Sequence, residues 1–142
     1  MLKGIPPVLS PELLKILMEM GHSDEIVLAD GNFPAAGMAK RLIRLDGHEI
    51  PNILDAILQF FPLDTYVSQP VALMGVVPGD DYVPEIQDTY RKIVAKHDSN
   101  AGIEEMERFA FYGRAKEAYA IVATGEGARY ANVILKKGVV VS

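Results

Sequence analysis

Five polar residues have types and positions suited to chemistry on a small polar molecule: His22, Asp30, Arg108, Tyr130 and Asn132. His22 follows a predicted helix, and an imidazole can give or take a proton near neutral pH. Asp30 ends an apolar segment of strand length, and α/β sheets bind ligands beyond the carboxyl ends of their strands. Arg108 offers a planar fork of donors that can orient a polar ligand. The set suits proton transfer on a neutral, hydroxyl-rich molecule.

Two of these residues also have an ordinary structural interpretation. His22 can be a solvated loop histidine, since unperturbed imidazoles are common on protein surfaces. Asp30 stands before Gly31, and Asp-Gly is a common turn sequence. The residues alone leave both interpretations open.

Other kinds of site are disfavoured by spacing. His22, His48 and His97 are too far apart in sequence for a histidine metal motif, and the chain has no cysteine. Gly125 and Gly127 follow a predicted strand, but Tyr130 occupies the third glycine position of a dinucleotide fingerprint. The sequence therefore predicts neither a metal site nor a cofactor.

Length and composition indicate a single globular domain over residues 1–142, with 49% hydrophobic and 23% charged residues. The net charge of −5 argues against nucleic acid as a partner. Pro6, Pro7 and Pro11 interrupt any apolar stretch of signal length near the start. We expect a soluble cytoplasmic protein that has no disulfides and does not associate with a membrane.

Apolar periodicity and turn residues predict interleaved helices and strands. Ser10 and Pro11 begin the first helix, and Gly21 is expected to end it in the left-handed conformation, with His22 just beyond. Further helices are predicted over residues 51–61, 85–96 and 104–116, and strands over 25–29, 41–45, 69–77, 119–124 and 130–135. This order predicts an α/β fold of three α/β/α layers, with a mixed, mostly parallel sheet and an antiparallel C-terminal pair.

Three segments give the chain a resemblance to a known family over nearly its whole length. They read LKGIPPVLSPELLKILMEMGHSDEIVLAD, RFAFYGRAKEAYAIVATGE and ARYANVILKKGV. The chain resembles the L-fucose mutarotases, whose close relatives are the D-ribose pyranases. The resemblance implies an α/β/α fold, interconversion of sugar anomers without a cofactor, and assembly into a ring-shaped homo-oligomer, a decamer.

The resemblance also implies roles for individual residues. His22 would be the proton donor, and Asp30, Arg108 and the segment Tyr130-Ala131-Asn132 would bind the monosaccharide. Arg108 favours the fucose branch, because the pyranase branch typically has a histidine there. A D-ribose pyranase, a non-catalytic sugar-binding protein and a structural ring or scaffold are the alternatives.

The spacing of His22 and Asp30 predicts how such a site is built. Eight residue steps separate them, so a mostly extended segment places them more than about 20 Å apart. They can meet only if the segment folds back or if two subunits share one site. We expect a site shared between subunits.

Overall fold

A computed structural model describes all 142 residues of the chain. The elements, in chain order, are α1 (Pro11–Glu19), β1 (Glu25–Ala29), α2 (Ala35–Met38), β2 (Leu42–Leu45), α3 (Ile50–Leu58), β3 (Val71–Met74), α4 (Glu85–His97), β4 (Ile103–Met106), α5 (Arg108–Glu117), β5 (Ala120–Thr124) and β6 (Val133–Lys136).

The strands form one mixed sheet in the order β2-β5-β1-β6-β3-β4. β1 is parallel to β5, β5 to β2, and β3 to β4, whereas β6 is antiparallel to both β1 and β3. Five strands therefore run in one direction and β6 runs against them. The carboxyl end of β1 and the amino end of β6 consequently lie at the same edge of the sheet.

Helices cover both faces of the sheet. The larger core joins one sheet face to α1, α3 and α4, and the smaller core joins the other face to α2 and α5. Strands β3 and β5 are buried along their whole lengths, as expected for strands covered on both faces. The α/β fold with three layers is confirmed. None of the helices has the length and apolar character needed to cross a membrane.

The first helix begins as predicted but ends differently. The Ser10 side chain accepts the Leu13 N–H at 3.2 Å, which satisfies a free donor at the helix start. At the other end Gly21 is not in the left-handed region, and the left-handed residue is Ser23, with φ 73°. The prediction for Gly21 is wrong because the Asp24 carboxylate accepts its N–H at 2.8 Å and the chain turns two residues later.

The predicted antiparallel pair of the last two strands is also corrected. β6 is the antiparallel strand, but β1 lies between it and β5. The connection between them crosses the end of β1 instead of forming a tight hairpin. The Glu126 carbonyl accepts the Gly31 N–H at 2.8 Å, and its buried carboxylate accepts the Ile50 N–H at 3.1 Å. These two hydrogen bonds join the connection to the residues after β1 and to the start of α3.

Residues 104–116 were predicted as one helix, but the structure has strand β4 followed by α5. β4 pairs in parallel with β3 at the edge of the sheet, where acidic side chains such as Glu104 and Glu105 reach solvent. The Glu107 carboxylate then accepts the N–H groups of Phe109 and Ala110, so the helix begins at Arg108.

Candidate functional site

The carboxyl edge of the sheet brings together three of the predicted binding residues. Asp30 directly follows β1, and Tyr130 and Asn132 directly precede the antiparallel β6. The Asn132 side chain is buried, and its Oδ1 accepts the Asp30 N–H at 2.7 Å. This bond links the two segments across 102 residues of sequence. This hydrogen bond therefore holds the Asp30 segment and Asn132 in fixed positions relative to each other.

Asp30 is a carboxyl group in partly apolar surroundings. Burial raises its pKa above the ordinary value, and the Glu126 carboxylate adds to that effect. The Asn32 N–H, which donates to Oδ1 at 3.0 Å, opposes the shift. A carboxyl group held in this way is well placed to accept hydrogen bonds from the hydroxyls of a neutral ligand.

Tyr130 is held on both its backbone and its side chain. Its φ of 57° lies in the left-handed region, which is uncommon for a large side chain. Its hydroxyl donates to Asp80 Oδ2 at 2.6 Å and accepts the Val77 N–H at 3.3 Å. The bond to Asp80 raises the pKa of the phenol, so the hydroxyl stays protonated. Stacking on Tyr82 further restricts the ring.

These residues line an open cavity of about 220 Å³. Its wall consists of charged, amide and aromatic side chains together with one methionine and one alanine: Asp30, Asn32, Phe33, Met74, Asp80, Tyr112, Ala128, Arg129, Tyr130 and Asn132. The cavity combines a small number of carboxylates and amides, which can bind hydroxyls, with aromatic surfaces. This combination suits a small polyhydroxylated ring.

Arg108 lies beside this cavity, in a second one of about 300 Å³ lined also by Gly75 and Val77. Gly75 follows Met74 of the first cavity and Val77 contacts Tyr130, so the two cavities share a wall. The guanidinium lies over the Phe109 ring at 4.5 Å. Its Nε is buried and has no hydrogen-bond partner, whereas the side chain as a whole is half-buried and lines the cavity.

Ala131 does not line either cavity. Its side chain is fully buried in the larger core, and its carbonyl accepts the Tyr90 hydroxyl at 2.8 Å. A direct role for Ala131 in binding remains a prediction. Its position between Tyr130 and Asn132 nevertheless makes its backbone part of the site.

His22 lies at the opposite edge of the sheet, just before β1. Its Nε2 is 3.0 Å from Oδ1 of Asp64, and its ring lies 5.0 Å from that of Tyr66. The His22 side chain is 39% exposed, whereas that of Asp64 is 1% exposed. Burial opposes ionisation of Asp64, but the Tyr66 N–H and the His22 ring lower its pKa below the ordinary value. The carboxylate is therefore ionised near neutral pH.

The ionised carboxylate fixes the state of the histidine ring. A carboxylate only accepts hydrogen bonds, so Nε2 of His22 carries the proton of their shared bond. Nδ1 is then left to exchange a proton with a ligand. The pair forms a positioned acid–base group on the surface, and within this chain it is separate from Asp30.

Several residues of the site were not predicted from the sequence. Asp64 and Asp80 contact His22 and Tyr130 from 42 and 50 residues away, and no local motif marks either contact. Asp80 follows Pro78-Gly79, which is ordinary turn chemistry. The available signal for Asp64 is a carboxylate in an otherwise apolar segment after α3. No group of three or more His, Asp or Glu side chains is arranged to hold a metal ion.

Comparison with known proteins agrees with this geometry. Residues 3–140 match the model of the RbsD / FucU transport protein family. An L-fucose mutarotase of Glaesserella parasuis is 54% identical over 98% of this chain and 96% of its own. The crystal structure of the fucose mutarotase in complex with L-fucose from Streptococcus pneumoniae is 57% identical. It covers 99% of this chain and 100% of its own, with a TM-score of 0.93.

A more distant structure comes from the other branch. Bacillus subtilis RbsD complexed with D-ribose is 26% identical, covers 94% of this chain and 95% of its own, and has a TM-score of 0.72. The family model and the relatives above half identity both span nearly the whole chain. The chain belongs to the RbsD/FucU transport protein family.

Proposed function

We propose that this protein is an L-fucose mutarotase, an isomerase that interconverts the α and β anomers of L-fucose. The observation that carries the proposal is the 57% identity, over 99% of the chain, to a fucose mutarotase whose structure holds L-fucose. The cavity beside Asp30 and Tyr130 fits a neutral sugar, because its polar groups suit hydroxyls and it presents no cluster of cations for a phosphate.

The reaction needs only proton transfers. In ring opening the anomeric hydroxyl loses its proton, the C1–O5 bond breaks to leave an aldehyde at C1, and O5 gains a proton. Rotation about C1–C2 followed by the reverse steps closes the ring on the other face. The protonated His22 ring donates a proton from Nδ1 to O5 and takes it back on closure, a contribution of about a hundredfold to ten-thousandfold in rate. The proton lost by the anomeric hydroxyl passes to solvent water and returns from it on closure.

The remaining residues hold the sugar. Asp30 accepts hydrogen bonds from hydroxyls, and Arg108, which lines the neighbouring cavity, donates to sugar oxygens through its planar guanidinium. Tyr130 and Asn132, which line the same cavity as Asp30, also contact the sugar. Their rigid placement keeps the anomeric carbon at the proton-transfer group, which adds to the rate.

The site is shared between two copies of the chain in this proposal. His22 precedes β1 and Asp30 follows it, and the five residues of β1 span about 13 Å at 3.3 Å a step. A head-to-tail contact brings the His22 edge of one copy to the Asp30 edge of the next, and repeated contacts of this kind close into a ring. We propose a ring-shaped homodecamer in the cytoplasm.

Two other functions remain to be tested against this one. A D-ribose pyranase is favoured by the likeness to the Bacillus subtilis protein, but at 26% identity and a TM-score of 0.72 that likeness is the weaker one. A non-catalytic sugar-binding protein would use the same cavity without proton transfer by His22.

Magnetisation exchange between anomeric protons, recorded by NMR at neutral pH, tests the proposal. L-Fucose and D-ribose are measured side by side, with and without catalytic amounts of the protein. The proposal predicts faster exchange for L-fucose and an unchanged anomer ratio. Acceleration of ribose alone would assign the chain to the pyranases, and binding of fucose without acceleration would make it a sugar-binding protein.

A further inference from the structure

Helix α4 places two buried polar side chains against the segment that precedes β6. Gln87 is 4% exposed, and its Nε2 donates to the carbonyls of Tyr130 at 3.0 Å and Met74 at 2.9 Å. Tyr90, one turn later, is fully buried, and its hydroxyl donates to the Ala131 carbonyl at 2.8 Å. One helix therefore binds two consecutive carbonyls of the sugar-binding segment.

Those two carbonyls depend on side chains for their hydrogen bonds. Neither the Tyr130 nor the Ala131 carbonyl accepts a backbone N–H among the turns and loops, and both residues lie outside β6. A buried carbonyl without a partner is destabilising, so removing either donor favours a shift of this backbone toward water. Gln87 and Tyr90 thus decide where the segment lies.

The conformation of Tyr130 makes this support necessary. Its φ of 57° is disfavoured for a residue with a large side chain and persists only where the surroundings enforce it. Gln87 bonds the carbonyl of that same residue and also that of Met74, which lines the cavity from the end of β3. The Gln87 amide therefore sets the separation of two cavity walls.

We propose that Gln87 and Tyr90 are positioning residues of the sugar site. They hold the backbone of residues 130 and 131 so that the Tyr130 ring and the Asn132 amide face the ligand, and they act through those residues without touching the sugar. The inference rests on the proposed mutarotase function. What it adds is that two buried side chains of α4 hold in place the backbone of a cavity at the edge of the sheet.

The experiment uses two variants of similar side-chain size that lack the donor: Tyr90→Phe, which loses the hydroxyl, and Gln87→Met, which loses the amide. Without the donor, the binding-competent backbone is populated for only a fraction of the time, and the apparent affinity falls by that fraction. Loss of one buried hydrogen bond corresponds to a rise of about fivefold to tenfold in the KM for L-fucose. The maximal exchange rate stays within about twofold, because bound sugar restores the competent segment.

Each variant has a matched control outside the site. Tyr119→Phe removes a hydroxyl that lies 3.5 Å from Glu19 on the surface, and Gln59→Met changes an exposed glutamine after α3. Both controls are expected to keep the KM and the maximal rate of the unmodified protein. The melting temperatures of all four variants distinguish a loss of stability from a change in the site. A loss of stability alone lowers the melting temperature but leaves the KM of the folded protein unchanged.

Amide hydrogen exchange in the sugar-free protein gives a readout independent of activity. In Tyr90→Phe and Gln87→Met, amides of residues 130–132 should exchange faster, whereas those of β1 should be unchanged. Unchanged KM and unchanged amide protection in both variants would overturn the inference even if the protein is a mutarotase. If the unmodified protein does not accelerate fucose exchange, the proposed function fails, and faster amide exchange would still support the positioning role of α4.

Discussion

His22 and Asp30 lie at opposite ends of β1, His22 before its first residue, Glu25, and Asp30 directly after its last, Ala29. The acid–base group and the cavity of one chain therefore face away from each other along the sheet. Each end is complete in itself, since Asp64 fixes His22 and Asn132 fixes the Asp30 backbone. Under the proposed function, a working site takes the two ends from different copies.

Replacement of His22 by alanine is expected to reduce the fucose exchange rate by at least about a hundredfold, because it removes the proton donor. Binding of L-fucose should weaken by no more than about tenfold, since Asp30 and Arg108 remain. NMR exchange gives the rate, and calorimetric titration gives the affinity. His48→Ala, in an exposed turn, is the control. Normal exchange by His22→Ala would show that another group transfers the proton.

Asp64→Asn is expected to slow exchange by about tenfold to a hundredfold, the scale found when a group that orients a functional histidine is lost. The amide retains the shape but can donate through Nδ2, which permits the His22 tautomer with the proton on Nδ1. Nitrogen-15 shifts of the imidazole, recorded with the exchange rate, report that change directly. Asp88→Asn, exposed on α4, should alter neither. An unchanged exchange rate in Asp64→Asn would contradict this account of the pair.

The layer architecture was predictable from the sequence because it follows from local patterns. The run Glu25–Ala29 is apolar after its first residue and of strand length, and the structure has β1 with those bounds. Ser10 and Pro11 likewise mark the start of α1. The sheet order was not predictable, because the position of β6 between β1 and β3 depends on pairing between residues distant in the chain. The residues of the local turns do not indicate which strands β6 pairs with.

The position of a candidate residue was predictable where it follows an apolar segment of strand length, as Asp30 follows β1. It was not predictable where the contact is long-range. Asp64 is an ordinary carboxylate in sequence and becomes the partner of His22 only through the fold. Gln87 and Tyr90 have the spacing of a core stripe on α4, and only the structure shows which carbonyls they bind.

Asp30→Asn should abolish sugar binding yet stabilise the protein at neutral pH. Burial raises the pKa of Asp30 in the folded state, so its ionised form opposes folding. That penalty is absent below about pH 4, the unfolded pKa, grows as the pH rises from there to the folded pKa, and is complete above it. At pH 7 the variant should melt at a higher temperature than the unmodified protein, with no difference near pH 3.

Scanning calorimetry across that pH range tests the Asp30 prediction, with Asp81→Asn in an exposed turn as the control. The difference in melting temperature between Asp30→Asn and the unmodified protein should grow with pH. A variant that is less stable at neutral pH would mean that hydrogen bonds to the carboxylate outweigh its burial.

Arg108→Lys should raise the KM for L-fucose by about tenfold, because a lysine lacks the planar fork of donors that can orient a polar ligand. The maximal rate should change less, since the proton donor is untouched. Arg44→Lys alters an exposed arginine paired with Asp46 and serves as the control. An unchanged KM in Arg108→Lys would remove Arg108 from the binding set.

The most direct test of the shared site combines two inactive variants, His22→Ala and Asp30→Asn, in one assembly. The two chains are co-expressed and purified together, and fucose exchange is measured by NMR. If a site takes His22 from one copy and Asp30 from another, about a quarter of the sites in a random ring contain both intact residues. We predict recovery of about that fraction of the exchange rate. No recovery in verified mixed assemblies would contradict the shared site.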